Sequence, residues 1–250
     1  TSIEQKGLER VLSLNFQSVN EAGSLEFLTL HCEIMGKHSN IVLVDSVTNR
    51  ILDAAKRYTH EVNRYREILP GIPYVLPPSQ DKQDILNMTE DEFRVLMLSQ
   101  PLDAQIHQVL LGVLEGFSPL LCRELIFRAG LPRDIVLNEC GEYELGKLWQ
   151  EISTMAGDIA SGSFVPTLIL EDKQYREFSP FDLTMFESQR KEFFSTINEA
   201  LTVFFRAKEE SVRINEARHR LNKIVNGQIK KINNKLATQH QELLETDTAD

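Results

Sequence analysis

Over residues 1–54 apolar and polar side chains alternate in short runs, the spacing of half-buried β-strands. Leu8, residues 11–14 and Phe16 predict one strand, 25–34 a second, 41–45 a third and 50–54 a short fourth. NEAG at 20–23 and SVTN at 46–49 supply turn chemistry, and 35–40 reads as a loop. Val42, Leu43 and Val44 follow one another without a polar break, so the third strand is expected to be covered on both faces. The segment LPGIPYVLPPS (69–79) holds four of the nine prolines. Proline fixes φ and donates no N–H, so this stretch is neither helix nor central strand and marks a stiff boundary.

From Asp84 the period lengthens to that of helices. MTEDEF (88–93) places Thr89 as an N-cap with Glu92 three residues on, a capping box. Further helices are expected at 106–114, 119–129 and 142–160, the last closed by Gly162. Strand returns at 166–170 and 175–178 across the turn EDK, and residues 166–185 are expected to complete the β-rich domain. From Phe186 the pattern reads as helix almost to the end, with no proline after Pro180. Ile214, Ala217, Leu221 and Ile224 recur at spacings of three and four, as do Val225, Ile229, Ile232 and Leu236. That is the seam of a coiled coil or a long helical hairpin. The expected class is α+β. An antiparallel β-rich domain covers 1–79 and a helical domain 80–163. A β return and connection covers 164–192, and a coiled-coil arm runs over 193–250.

Composition adds little. Hydrophobic residues make up 42% and charged residues 26%, as in an ordinary globular protein with a sizeable core. No apolar run approaches the roughly 20 residues of a membrane span, so no membrane role is expected. Cys32, Cys122 and Cys140 are odd in number and lack CxxC spacing, which predicts reduced thiols in the cytoplasm. The opening TSIEQKGLERVL has neither a start methionine nor a signal-peptide pattern and reads as a piece of a longer protein.

Charge changes the picture more. The net charge is −10, yet residues 206–235 carry nine basic against three acidic side chains. One basic helix on an acidic body is a targeted surface. Lys230, Lys231 and Lys235 on it suit RNA phosphates; the same charges also suit the solvated face of a coiled coil.

Two segments carry candidate chemistry. Gly36 opens a polar tip that presents Lys37, His38, Ser39 and Asn40 between two apolar strands. Turn amides can receive phosphate and these side chains suit RNA, although composition alone favours a plain hairpin loop. LLGVLEGFSPLLCRELIFRAGL (110–131) reads as helix, tight turn at 115–118, and helix with Pro119 in its first position. A helix-hairpin-helix of this shape turns the second helix's amides toward phosphate at Gly116 and Ser118, Ser118 standing where a second glycine is usual. A structural pair of helices fits as well. His31, His38 and His60 share no metal-ligand spacing, and His31 with Cys32 reads as strand packing. Phe193, Phe194, Phe204 and Phe205 read as core. No P-loop, GxGxxG, HExxH or GxSxG occurs, so no catalytic residue, metal or cofactor is expected.

The order of these segments resembles the NFACT family, also described as the fibronectin-binding protein A family. Family members carry an Asp-Arg pair after a short Gly-containing turn, then E-x-M-G-K/R-H-S-N and an apolar strand ending in Asp. This chain has Gly7-Leu8-Glu9-Arg10, Glu33-Ile34-Met35-Gly36-Lys37-His38-Ser39-Asn40 and a strand ending at Asp45. Glu9 stands where the family has Asp, which keeps the charge on a longer arm. GFSPLLCREL (116–125) is similar to the family's hairpin pattern, EFSPFDLTMF (177–186) to its aromatic return strand, and FFSTINEALTVFF (193–205) to the start of its coiled coil.

The resemblance implies a ribosome quality-control factor. Its partners would be the large ribosomal subunit with its rRNA, a stalled peptidyl-tRNA, and a recruited tRNA, alanyl-tRNA in bacteria. It would promote mRNA-independent tailing of the nascent chain, with the ribosome supplying the chemistry. Glu9 and Arg10 would serve tRNA recruitment. Two alternatives stay open. One is a surface adhesin binding fibronectin. The other is a DNA-repair glycosylase, which needs an amino-terminal proline nucleophile and a zinc finger, neither visible in the sequence.

Overall fold

The computed structural model describes residues 1–19, 22–78 and 81–247, and of 240–247 the backbone alone. The chain forms two compact units, Thr1–Gly162 and Ser163–Asp250.

The first unit opens with β1 (Ser2–Gln5), β2 (Val11–Val19), β3 (Leu25–Glu33), β4 (Asn40–Asp45) and β5 (Arg50–Ala54). They pair antiparallel in chain order, as short turns dictate. Asn20 and Glu21 of the expected NEAG turn, and Ser79 of the proline-rich boundary, lie outside the described residues. β1 has no apolar pattern because SIEQ is an edge strand with all four side chains exposed. In β4, Val42 and Val44 are buried while Ile41 is exposed and Leu43 half-buried. The expected cover on both faces is therefore corrected: β4 alternates, with one well-packed face.

That face packs Val42 and Val44 with Ile51, Ile68 and Tyr74. The proline-rich stretch takes part without becoming a strand. Ile51 N–H donates to Ile72 O at 2.9 Å, Gly71 N–H to Ile51 O at 2.7 Å and Tyr74 N–H to Asn49 O at 2.8 Å.

Four helices follow: α1 (Glu90–Leu98), α2 (Ile106–Val113), α3 (Pro119–Arg128) and α4 (Glu142–Ser161). The capping box at α1 forms as the sequence predicts, with Thr89 N–H donating to Glu92 Oε2 at 2.8 Å. Gly162 ends α4 in the left-handed region, φ +69°. Phe93, Met97, Leu110, Leu125, Leu148 and Ile152 are fully buried and form the helical core.

The second unit holds β6 (Thr167–Glu171), β7 (Gln174–Ser179), β8 (Arg190–Phe193) and α5 (Ile197–Asp247). β6, β7 and β8 make a separate sheet in the order β7-β6-β8. Residues 166–185 thus start a sheet of their own and do not extend the five-stranded one. The helix expected from Phe186 starts at Ile197, because 190–193 pairs with β6. β6 and β7 join through Asp172 and Lys173, both with positive φ, the geometry of a tight hairpin. Leu168, Ala200 and Phe204 form the small core, with Phe194 and Ile197 against it. Phe193 and Phe205 are exposed, so only part of the aromatic run is core. Every side chain of α5 from 212 to 239 is exposed, including Ile214, Leu221, Ile224, Val225, Ile229, Ile232 and Leu236.

Candidate nucleic-acid interface

Loop 6–10 joins β1 to β2 and turns on Gly7, whose φ of +55° suits a residue without Cβ. Glu9 N–H closes on Lys6 O at 3.1 Å, and Gln5 Nε2 donates to Glu9 O at 2.8 Å. The loop also reaches far along the chain. Leu8 N–H donates to Glu115 Oε1 at 2.8 Å, onto the tight turn between α2 and α3. Two glycines permit that approach. A Cβ at Gly7 would stand 2.9 Å from Glu115 Oε1, and one at Gly116 would stand 2.6 Å from Leu8 Cβ. Loop and turn meet at backbone distance.

Glu9, Arg10, Gly116 and Ser118 consequently line one cleft of about 340 Å³, together with Lys82 and Pro119. A cavity of about 290 Å³ shares Glu9 and Glu115 and is bounded by Lys6, Met35, Leu76 and Pro77. Glu9 is half-buried and Arg10 exposed.

The sheet register adds the polar tip. Val11 pairs with Glu33, and Ile34 N–H donates to Arg10 O at 2.8 Å, so β3 leaves the sheet beside Arg10. A 3-10 turn, Gly36–His38, follows. Ser39 Oγ accepts the Met35 N–H at 2.9 Å. Asn40 is buried; its Nδ2 donates to Lys56 O at 2.9 Å and its Oδ1 accepts the Lys56 N–H at 2.8 Å. Ser39 and Asn40 therefore shape the tip, while Lys37 and His38 are exposed. The Lys56 ammonium donates to Lys37 O at 3.1 Å and adds its charge to that of Lys37.

The start of α3 offers fewer amides than the sequence implied. Ser118 Oγ accepts the Leu121 N–H at 3.2 Å, Cys122 N–H donates to Ser118 O, and Pro119 has no N–H. Leu120 N–H is what remains of the first turn. Lys230, Lys231 and Lys235 lie exposed on α5 in the second unit.

Sequence reasoning missed what Glu33 does. It is fully buried, its carboxylate forks with Arg66 through Nη1 to Oε1 at 2.7 Å and Nη2 to Oε2, and Oε1 accepts the Tyr74 hydroxyl at 2.9 Å. His31 stacks on Tyr74 with ring centroids 4.1 Å apart, and its Nδ1 lies 2.9 Å from Ser13 Oγ. Burial raises the Tyr74 pKa, and the Glu33 charge adds to the rise. Burial lowers the His31 pKa against the opposing pull of Glu33. The network ties the end of β3 to the returning stretch, directly before the polar tip. A lone acid ending an apolar strand was the available signal; nothing in the sequence pointed to Arg66.

The Cys122 thiol is pushed up to about 12 and Cys140 to about 11, in both cases chiefly by burial, which disfavours the thiolate form. Among the described residues no His, Cys, Asp and Glu cluster could hold a metal, and no helix is long and apolar enough to cross a membrane.

The family model of NFACT N-terminal and middle domains matches residues 1–250. The chain is 31% identical over 235 residues to the Rqc2 homolog RqcH of Bacillus subtilis, covering 94% of this chain and 38% of that protein. It is 28% identical over 249 residues to the Rqc2 homolog RqcH of Streptococcus pneumoniae, covering 100% of this chain and 40% of that protein. It thus spans well under half the length of these relatives. Among solved structures, the fibrinogen binding protein from Staphylococcus aureus superposes with a TM-score of 0.64 at 26% identity, over 80% of this chain and 67% of that one. The N-terminal part of the fibronectin/fibrinogen-binding protein from Streptococcus suis gives 0.59 at 24% identity, over 82% and 66%, a likeness of fold. With its segments in family order and the family model spanning its whole length, the chain belongs to the NFACT family.

Proposed function

We propose that the chain is the RNA-positioning part of a ribosome quality-control factor. The factor acts in the cytoplasm on the large ribosomal subunit with a stalled peptidyl-tRNA, and recruits a tRNA, alanyl-tRNA in bacterial members, for mRNA-independent tailing. The observation that carries this reading is the convergence of Glu9 and Arg10 with the Gly116 turn in one cleft, beside the exposed Lys37 and His38. Arginine's planar fork reads phosphate or a base edge, and the acid beside it anchors the loop or an amine. Peptidyl transfer stays with the ribosome, so these residues bind and orient RNA and perform no bond chemistry. In the same reading α5 is one strand of a coiled-coil arm, its cations set along rRNA phosphates.

The test is the double variant Glu9→Ala with Arg10→Ala in the full-length protein. Large-subunit binding and thermal stability should stay near wild type, while tRNA co-purification and tail synthesis are lost. Full tailing would remove the pair from the site. Retention on immobilised fibronectin or fibrinogen, with no subunit binding, would favour the adhesin reading that the solved relatives' descriptions carry.

A further inference from the structure

Glu115 lies beneath the proposed tRNA site. Its Oε1 accepts the N–H of Leu8, the residue before Glu9, at 2.8 Å, and it borders both the cleft that holds Arg10 and the cavity behind Glu9. The loop's bonds from Glu9 N–H to Lys6 O and from Gln5 Nε2 to Glu9 O are local, and orient nothing relative to α2 and α3. The bond to Glu115 does so across 107 residues of chain, and the bare Gly116 lets Leu8 seat against the turn. A carboxylate accepting a backbone N–H makes a stronger, shorter bond than a neutral acceptor.

On the tRNA-recruitment reading above, we propose that Glu115 is a positioning residue. Its carboxylate oxygen holds the Leu8 backbone on the α2–α3 turn and thereby sets Glu9 and Arg10 in one cleft with Ser118 and Pro119. The hairpin then serves the site by aligning it, and Gly116 is required for close approach.

The probe is total tRNA, offered to the full-length protein bound to large subunits that carry peptidyl-tRNA. Glu115→Ala should lower tRNA recovery by roughly tenfold or more, the scale of loss when a positioned group shifts, while subunit binding persists. Glu115→Gln keeps an acceptor oxygen for the Leu8 N–H and should restore most of the recovery. Amide hydrogen exchange gives a second measurement. Residues 6–10 should lose protection in Glu115→Ala and keep it in Glu115→Gln, with β2 and β3 unchanged in both.

Wild-type recovery by Glu115→Ala, where the Glu9 and Arg10 double variant has lost tRNA, overturns the proposal. Equal loss in Glu115→Ala and Glu115→Gln with residues 6–10 still protected in the latter also overturns it, since charge would then be what acts. If the double variant keeps its tRNA, the recruitment reading fails, and exchange at 6–10 alone decides the clamp. Should Glu115→Ala melt globally, Gly7→Ala decides in its place, because its Cβ crowds Glu115 Oε1 at 2.9 Å. Undiminished recovery there overturns the proposal.

Discussion

The end of the five-stranded sheet held at Glu115 and the long helix α5 both carry residues proposed to contact RNA, and they hold them in opposite ways. At the sheet end, backbone approach at Gly7 and Gly116, a buried amide at Asn40 and a buried ion pair at Glu33 hold the chain from which the neighbouring side chains project. On α5 the side chains from 212 to 239 are all exposed, and Lys230, Lys231 and Lys235 are fixed by helix periodicity alone. The first arrangement presents particular atoms at particular distances. The second presents charge. A region of the first kind answers to the loss of one buried partner, and a region of the second kind to ionic strength.

Arg66→Ala tests the first half of that contrast most severely. It leaves Glu33, whose side chain is wholly buried, without its ion-pair partner. Breaking such a pair from one side costs about 3–5 kcal/mol. Denaturant unfolding should show that loss, and tRNA recovery should fall with it because the network ends where the polar tip begins. A loss under about 1 kcal/mol, the scale of an exposed pair, would mean that the sheet end is not held by this network.

Changing Lys230, Lys231 and Lys235 together to Glu tests the other half. Folding should be unaffected, since all three are exposed. Binding of the full-length protein to large subunits should weaken, and the slope of log affinity against log salt should become shallower by roughly 2–3, close to one for each phosphate that is no longer neutralised. An unchanged slope would remove α5 from the rRNA surface. It would leave the sheet end untouched, which is what separates the two regions.

This contrast also explains what was legible in the sequence. α5 beyond its first turns could be read directly, since a helix whose side chains from 212 to 239 are all in solvent is governed by local period and charge. Its start was misplaced because QRKEFF is too short and polar to distinguish strand from helix, and only pairing with β6 makes 190–193 a strand. The capping box at Thr89, the turn at Asp172 and Lys173, and the order of β2 to β5 are local signals and were readable. The site was readable as separate pieces. Glu9 with Arg10 were singled out through the family resemblance and Gly116 with Ser118 through the hairpin pattern, but their meeting depends on a backbone N–H reaching a side chain 107 residues away. No periodicity records such a meeting. The partnership of Glu33 with Arg66, 33 residues apart, was hidden for the same reason.

The finest test separates the two regions by pH at fixed ionic strength. His31 is half-buried between Ser13 and the Tyr74 ring, with Glu33 and Arg66 as its charged neighbours. Burial, aided by Arg66 and opposed by Glu33, lowers its pKa below the ordinary value of 6.5. On acidification the unfolded chain takes up the proton first, so stability falls as pH drops below that value and is regained above it. The carboxylates held low, Asp45 by the backbone N–H groups of Thr48 and Val47 and Glu92 by Thr89, lose their contribution only in the carboxylate range, at lower pH. The two windows are therefore distinct. His31→Phe keeps a ring against Tyr74 and removes the titration. Between about pH 7 and about pH 5.5 the wild-type protein should lose stability that the variant retains, read as the difference in denaturant midpoints. Parallel acid profiles for the two proteins would show that His31 titrates alike in folded and unfolded chains. The sheet end would then be less enclosed around Tyr74 than its packing indicates.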